Sequence, residues 1–425
     1  MILNRELDRN EKRTSQRNYL IYSVLNGLSY MCLGETIILL LAINMGCSDT
    51  MIAILSNMIF LGYLLLPLGK TMTARVGAVA SQANFWVLRN IAALLVAFSP
   101  LANMFFGHTA AVMIMLAGAF FFYGFRAAGV VMGQPLLGEI TSPEERGRFI
   151  SVSSSIFYIF GFVSLGLIST VLKFNSTTAM LSGIIITGTV MGIISSGFVR
   201  RIHETGEIMH NARRPIMASV LEACRSRVIR RLILAGICGY LGTVMLMPIS
   251  MLTLKKGYGV SDFTALLFSL IQFAGCIITG RLLSVKADRL GGRKVTLAGF
   301  YGLYLLAIFW IAAPAEFCWY LLIIPFLLCS CGQLVIVNGL MQYFLETVPK
   351  EQQIAGSMVI SVGQGTIAGI LGSIFSASLL KVAAIINQGK APLETYRMYF
   401  IFTLLILPIV GFFIHRLPRT TATEK

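Results

Sequence analysis

The chain has 425 residues, of which 56% are hydrophobic and 12% charged, and its formal net charge is +16. Water-soluble domains carry about a quarter charged residues, so this composition excludes a water-facing surface over the full length and points to a bilayer, which a helix of about 20 apolar residues crosses. The basic balance alone would suggest nucleic acid, but that needs a basic face with readable motifs, and the sequence carries none.

The N-terminal stretch "MILNRELDRNEKRTSQRN" is polar and charged. It lacks an apolar core followed by a small-residue cleavage site, so the first span is expected to act as the insertion signal and to stay. Twelve apolar segments follow: 19–44, 50–69, 84–106, 109–138, 149–172, 177–199, 231–254, 261–284, 295–314, 317–345, 354–386 and 395–415. Within the first, Asn26 and Tyr30 share a face, whereas Glu35 lies on the opposite side of a straight helix. All three reach one cavity only if the span bends or unwinds at Gly34.

The fourth segment, "MLAGAFFFYGFRAAGVVMGQPLLGEI", carries Arg126 in its middle. A charge at the centre of a spanning helix costs about 2.5–3.5 kcal/mol on insertion scales, and its default reading is functional. Glu35 is the other charge read as lying deep in a span. The two Cα depths differ by about 10 Å at 1.5 Å per residue, so a pair is one possibility. Arg126 suits an anionic substrate, because its planar fork matches carboxylate or phosphate. Alternatively, Arg126 and Glu35 form a switchable pair in which a buried Glu35 carries a coupling proton, or a structural ion pair between helices.

After the fourth span, "SPEE" (Ser142 to Glu145) has the pattern of a helix start, with serine as cap, proline in the first turn and Glu145 completing a capping box. Tyr158 lies in the fifth span and Tyr240 in the seventh. The longest polar stretch, Arg200 to Arg231, separates six spans from six. In it Met217, Val220, Leu221, Cys224 and Val228 follow a helical period. That predicts an amphipathic helix on the cytoplasmic leaflet. Polar stripes recur in later spans: Ser269, Gln272, Cys276 and Thr279 in the eighth; Cys331, Asn338 and Gln342 in the tenth, which also carries Gln333; Ser357, Ser361 and Gln364 in the eleventh. Each group could simply join helices by hydrogen bonds; together they suggest a polar lumen. The eight cysteines lie mostly within spans and behave as small hydrophobes. "CSC" at Cys329 to Cys331 lacks metal or redox spacing.

If the N-terminus is cytoplasmic and the sides alternate, most of the 34 Lys and Arg fall on the cytoplasmic side. The positive-inside rule then places both termini in the cytoplasm. The domains expected are 1–199, a six-helix bundle; 200–230, the central loop; and 231–425, a second six-helix bundle. The halves echo one another: "TARVGA" after the second span and "ADRLGG" after the eighth, "GEITSPEERGR" after the fourth and "LETVPKEQQIAG" after the tenth. Duplicated architectures of this kind place a substrate between the halves near the midplane.

With these motifs the chain resembles the major facilitator superfamily of secondary transporters. "ADRLGGRK" is similar to the family loop G-x-x-x-D-R-x-G-R-[KR], with one extra glycine and Ser284 at the leading position; "GKTMTARVG" is a more degraded copy in which Ala74 replaces the acid. Asp288 can cap a neighbouring helix. Arg289 and Arg293 can pair with Glu346, and Arg75 with Glu139. The resemblance implies that such groups, with Arg146 of "PEERGR", close a cytoplasmic gate. It also favours an arginine in the fourth span, although "RAAGVVMG" lacks the glutamine of the family's R-x-x-Q-G.

The expectation is an all-α membrane protein of twelve helices in two pseudo-symmetric six-helix bundles. It would move a small polar solute, anions included, by alternating access, coupled to protons, with no cofactor or metal, as a monomer in the plasma (inner) membrane. The candidate substrate or coupling residues are Glu35, Arg126, Asn26, Tyr30, Tyr158, Tyr240, Gln272, Gln333, Asn338 and Gln364. A drug or metabolite efflux antiporter of the same superfamily is the nearest alternative, although the fifth span lacks the proline of the antiporter motif. A membrane sensor that moves no solute is a second. Direct ATP use is not expected, since no GxxxxGK[ST] loop is present. An enzyme is not expected either, since no histidine lies deep in a span and no intramembrane acids cluster.

Overall fold

A computed structural model describes residues 2–3, 5–47, 51, 55, 58–59, 61–174, 177–213, 215, 221–222, 225–260, 262–388 and 391–418; the side chains of residues 35, 262, 263, 265, 266 and 373 lie outside that description. Ten helical segments among the described residues are long and apolar enough to cross a membrane. One of them, Leu267–Ile311, carries two expected spans, because Gly291 interrupts it with φ 72° and ψ 156°. The expected second span falls partly on residues outside the description, and its described end continues as Leu66–Val76. Twelve spans are consistent with this arrangement.

The chain divides into two compact units. The first comprises Met1–Ser142, Ile156–Val220 and Pro349–Met358; the second comprises Pro143–Ser155, Leu221–Val348 and Val359–Lys425.

In the first unit the leading helix, Arg9–Cys32, starts at a reciprocal cap: Asp8 accepts from the Glu11 amide at 2.7 Å and Glu11 accepts from the Asp8 amide at 2.8 Å. It stops at Leu33–Gly34, and a second helix, Glu35–Asn44, follows. The break lies where the sequence asked for one. The third span differs from expectation. Its helix runs Ala78–Ala97 and is followed by a short Ser99–Phe106 helix, so it begins six residues earlier than the apolar run suggested. Small residues let neighbouring helices approach closely. A Cβ on Gly69 would lie 2.1 Å from the Ala128 carbonyl oxygen, and one on Gly27 would lie 2.5 Å from that of Phe157.

The polar tail and central loop are also structured. Ile2–Leu3 pairs in parallel with Glu204–Thr205, Ile2 opposite Glu204 and Leu3 opposite Thr205. A short helix, Gly206–Ala212, follows. Of the expected surface helix, Met217, Val220 and Cys224 lie outside the described residues.

"SPEE" does not start its helix. The helix Arg146–Phe174 begins after a turn, and Asp288 Oδ1 accepts the Arg148 amide at 2.8 Å. A carboxylate brought by folding thus takes over the role that Ser142 was expected to fill. Among the described residues three spans widen locally into π-type turns: Thr253–Gly257 at the end of Arg227–Leu252, Cys331–Ile336 between Trp319–Ser330 and Val337–Thr347, and Gly363–Ile367 between Lys350–Val362 and Ala368–Ile386. Single wide turns of this kind often mark functional positions.

Candidate functional site

In the first unit, Tyr22, Asn26 and Tyr30 recur every four residues on the Arg9–Cys32 helix and form one stripe. The stripe meets two arginines. The Arg126 guanidinium carbon lies over the Tyr30 ring, 5.0 Å from its centre. Asn26 Oδ1 accepts the indole N–H of Trp86 at 3.2 Å, and Arg89 stacks on that same indole at 4.7 Å. Tyr22 packs edge-on against Trp86, with ring centroids 5.9 Å apart. Tyr30 of the expected Asn26–Tyr30 face therefore meets Arg126, and Asn26 joins Arg89 through Trp86.

Arg89 is the residue that sequence reasoning missed. The expected third span begins at residue 84, so Arg89 reads as a charge near the start of a span rather than deep within it. In the structure it lies about 16 Å along the helix from Ala78 and is 1% exposed. Its guanidinium also lies 5.5 Å from the centre of the Phe122 ring. Nε and Nη2 have no hydrogen-bond partner among the described residues. The available signal was "FWVLR", an arginine three residues after a tryptophan, the spacing at which a guanidinium reaches an aromatic face on one helix.

Glu35 begins the helix after the break, but its side chain lies outside the described residues. Tyr158 is next to this cluster in sequence: its ring meets Phe157 edge-on at 5.4 Å, and Phe157 in turn tilts against Tyr30 at 5.5 Å.

The second unit gathers other candidates. Gln272 Nε2 donates to Gln333 Oε1 at 2.7 Å, and Cys276 Sγ donates to the same oxygen at 3.9 Å. Thr279 and Ser330 hydroxyls are 2.9 Å apart. Gln333 and Gln364 each sit in one of the wide turns. Gln364 lies against the backbone at Gly236, where a Cβ would come within 2.6 Å of its amide nitrogen. Asn338 Oδ1 accepts from Ser154 at 3.1 Å, while its buried amide nitrogen has no partner among the described residues. Tyr240 lies in the Arg227–Leu252 helix, partly buried. Gln342, expected on the lumen face with Asn338, instead donates to Ala287 O at 3.2 Å and Glu346 Oε1 at 2.8 Å.

The gate residues are arranged differently from the expected pairs. Asp288 caps a helix, as its chemistry suggested. Glu346 is not held by Arg289 or Arg293. It accepts the Gly292 amide at 3.2 Å, and its charge partner is Arg146, whose Nη1 donates to the neighbouring Leu345 carbonyl at 3.0 Å. Arg293 reaches the His415 carbonyl at 2.9 Å, and Arg289 is exposed. Arg75 is exposed too and does not meet Glu139, which accepts from the Thr205 amide at 3.0 Å and from its hydroxyl at 2.5 Å. The reason is geometric. The strand pair brings Thr205 to Glu139 and supplies Glu204 to the start of the Ala78–Ala97 helix. Arg75 forms no ion pair among the described residues.

No group of three or more metal-binding side chains occurs among the described residues.

Solved structures with the same fold include FucP in the outward conformation (TM-score 0.67, 15% identity, covering 96% of this chain and 99% of that one). A bacterial homologue of the iron transporter ferroportin, outward-facing with soaked iron, has TM-score 0.69 and 13% identity, with 95% and 98% covered. The proton:xylose symporter XylE has TM-score 0.67 and 12% identity, with 98% and 99% covered. At these identities the likeness establishes the fold. No curated protein sequence matches the chain. The family model of the Major Facilitator Superfamily matches residues 19–373, and the chain, an integral multi-pass membrane transporter, belongs to that family.

Proposed function

We propose that this transporter moves a small anionic solute by alternating access, coupled to protons, as a monomer in the plasma (inner) membrane with both termini cytoplasmic. The observation that carries the reading is Arg126 near the middle of the His108–Ile140 span, set against the face of Tyr30 rather than a carboxylate among the described residues. A guanidinium in a spanning helix is costly unless it meets an opposite charge or water. A transported anion is the opposite charge that can come and go. The excess of Lys and Arg in the loops assigned to the cytoplasm supports the orientation. The division into 1–199, 200–230 and 231–425 remains our working assignment of bundles and linker, and Asp288, Arg146 and Glu346 our working gate.

The test is uptake into proteoliposomes under an inside-alkaline pH gradient, with lactate, succinate, glycerol 3-phosphate and glucose as labelled solutes. Accumulation of an anion that a protonophore collapses, and that Arg126→Gln abolishes, is the expected result. Glucose uptake that survives Arg126→Gln overturns the anionic reading. Anion uptake indifferent to the pH gradient overturns the coupling. Acid export driven by an inward proton gradient favours the efflux antiporter.

A further inference from the structure

Arg126 is not the only cation within the spans of the first unit. Arg89 lies on a different helix, and its guanidinium packs on Phe122, one turn before Arg126 on the His108–Val130 helix. Both reach the same stripe of the Arg9–Cys32 helix, Arg126 at Tyr30 and Arg89 through Trp86, which meets Tyr22 and Asn26. Each cation lies over an aromatic face, Trp86 for Arg89 and Tyr30 for Arg126. Stacking orients a guanidinium but leaves its in-plane N–H groups free to donate. In Arg89, Nε and Nη2 are buried with no partner among the described residues.

Two like charges sharing a buried aromatic cluster repel one another, and burial strengthens that repulsion. An arginine needed only for packing is replaced by an apolar residue at no electrostatic cost. The unused donors and the mutual repulsion are relieved together by one ligand that carries two negative charges. Aromatic walls from Tyr22, Trp86 and Phe122 would face its carbon skeleton. We propose that Arg89 and Arg126 together form a double-cation site for a small organic dianion, a dicarboxylate or a phosphate monoester. The proposal rests on the anionic-solute reading above and sharpens it. Arg126, only partly buried, is the charge a solute meets first; Arg89, fully buried, engages the second charge once the helices part.

The test is equilibrium binding to the full-length protein in detergent. Succinate and glycerol 3-phosphate are compared with lactate and glucose in wild type, Arg89→Gln and Arg126→Gln. The loss of one charge-assisted contact is expected to weaken binding about tenfold or more. Wild type should therefore bind one of the two dianions at least about tenfold more tightly than lactate. Arg89→Gln should bring that dianion to within about threefold of lactate, while Arg126→Gln weakens both acids. Comparable binding of lactate and the dianions by wild type overturns the double-cation site and leaves the anionic reading standing; this arm needs no variant. A dianion preference that survives in Arg89→Gln also overturns it. Failure of both dianions to bind overturns it as well, and if glucose then binds, the anionic reading falls too.

Discussion

Glu204 accepts the backbone N–H of Ala78 at 2.7 Å and that of Val79 at 3.1 Å, across more than 120 residues of sequence. The carboxylate sits at the positive end of the Ala78–Ala97 helix, where exposed amides and the helix dipole favour an anion. Glu204 is 1% exposed. Glu204→Ala would leave two buried amides without an acceptor, a loss of about 1–3 kcal/mol. The thermal midpoint of the purified protein should fall clearly, and that of Glu204→Gln, which keeps one acceptor oxygen, should fall less. Equal midpoints for wild type and Glu204→Ala would remove this cap from the account.

The same residue should leave a signature in pH. Burial pushes the Glu204 carboxyl above its usual range, against the opposing pull of the Val79 and Ala78 amides. Because its affinity for the proton is higher folded than unfolded, the folded state binds more protons between the two pKa values. Stability contributed by this group is then present below the unfolded carboxylate range, about 4.3, and is lost as pH rises through the folded value. Wild type should lose stability relative to Glu204→Gln as pH is raised from about 4.3. A flat difference between the two proteins across that range would contradict the assignment.

Two adjacent glycines in "ADRLGGRK" have separate jobs. Gly291 adopts φ 72° and ψ 156°, a region that side chains avoid, at a cost of about 1–3 kcal/mol. Gly292 lies against the next span, where a Cβ would come within 2.2 Å of the Tyr343 nitrogen. Gly291→Ala and Gly292→Ala should each destabilise the protein, the first by strain and the second by forcing two helices apart. Gly133→Ala is the matched control, since nothing lies within 4 Å of its Cβ position and its backbone is helical. It should be neutral or gain up to about 1 kcal/mol. Thermal unfolding of the three variants side by side checks the ranking, and a Gly291→Ala protein as stable as Gly133→Ala would refute it.

Gln272 and Gln333 are coupled through one 2.7 Å hydrogen bond at the wide turn of the tenth span. Replacing either by leucine removes this hydrogen bond, and replacing both removes it only once. A double-mutant cycle on thermal stability should therefore return a coupling of about 0.5–1.5 kcal/mol. Additive losses would mean that the two amides stand independently.

The sequence by itself determined the solvent, the multi-pass helical character and the family. Charge is too sparse for a water-facing chain, and apolar runs of membrane length recur between basic loops. Local chemistry also placed the break at Gly34 and the capping role of Asp288, because a helix break and a helix cap depend on residue type and near neighbours. Arg126 stood out because a single charge in an apolar run is visible without coordinates. Tertiary structure alone decided which groups meet. Hydropathy cannot show that the third span extends back to Ala78 and so buries Arg89, because a small, polar helix start in "AVASQA" reads as loop until other helices cover it. Nor could the sequence foresee that Glu204 would hold the Ala78 amide, that Thr205 would occupy Glu139, or that Glu346 would turn to Gly292. Those are long-range choices among acceptors of similar chemistry. Which carboxylate reaches which amide is set by how the helices pack.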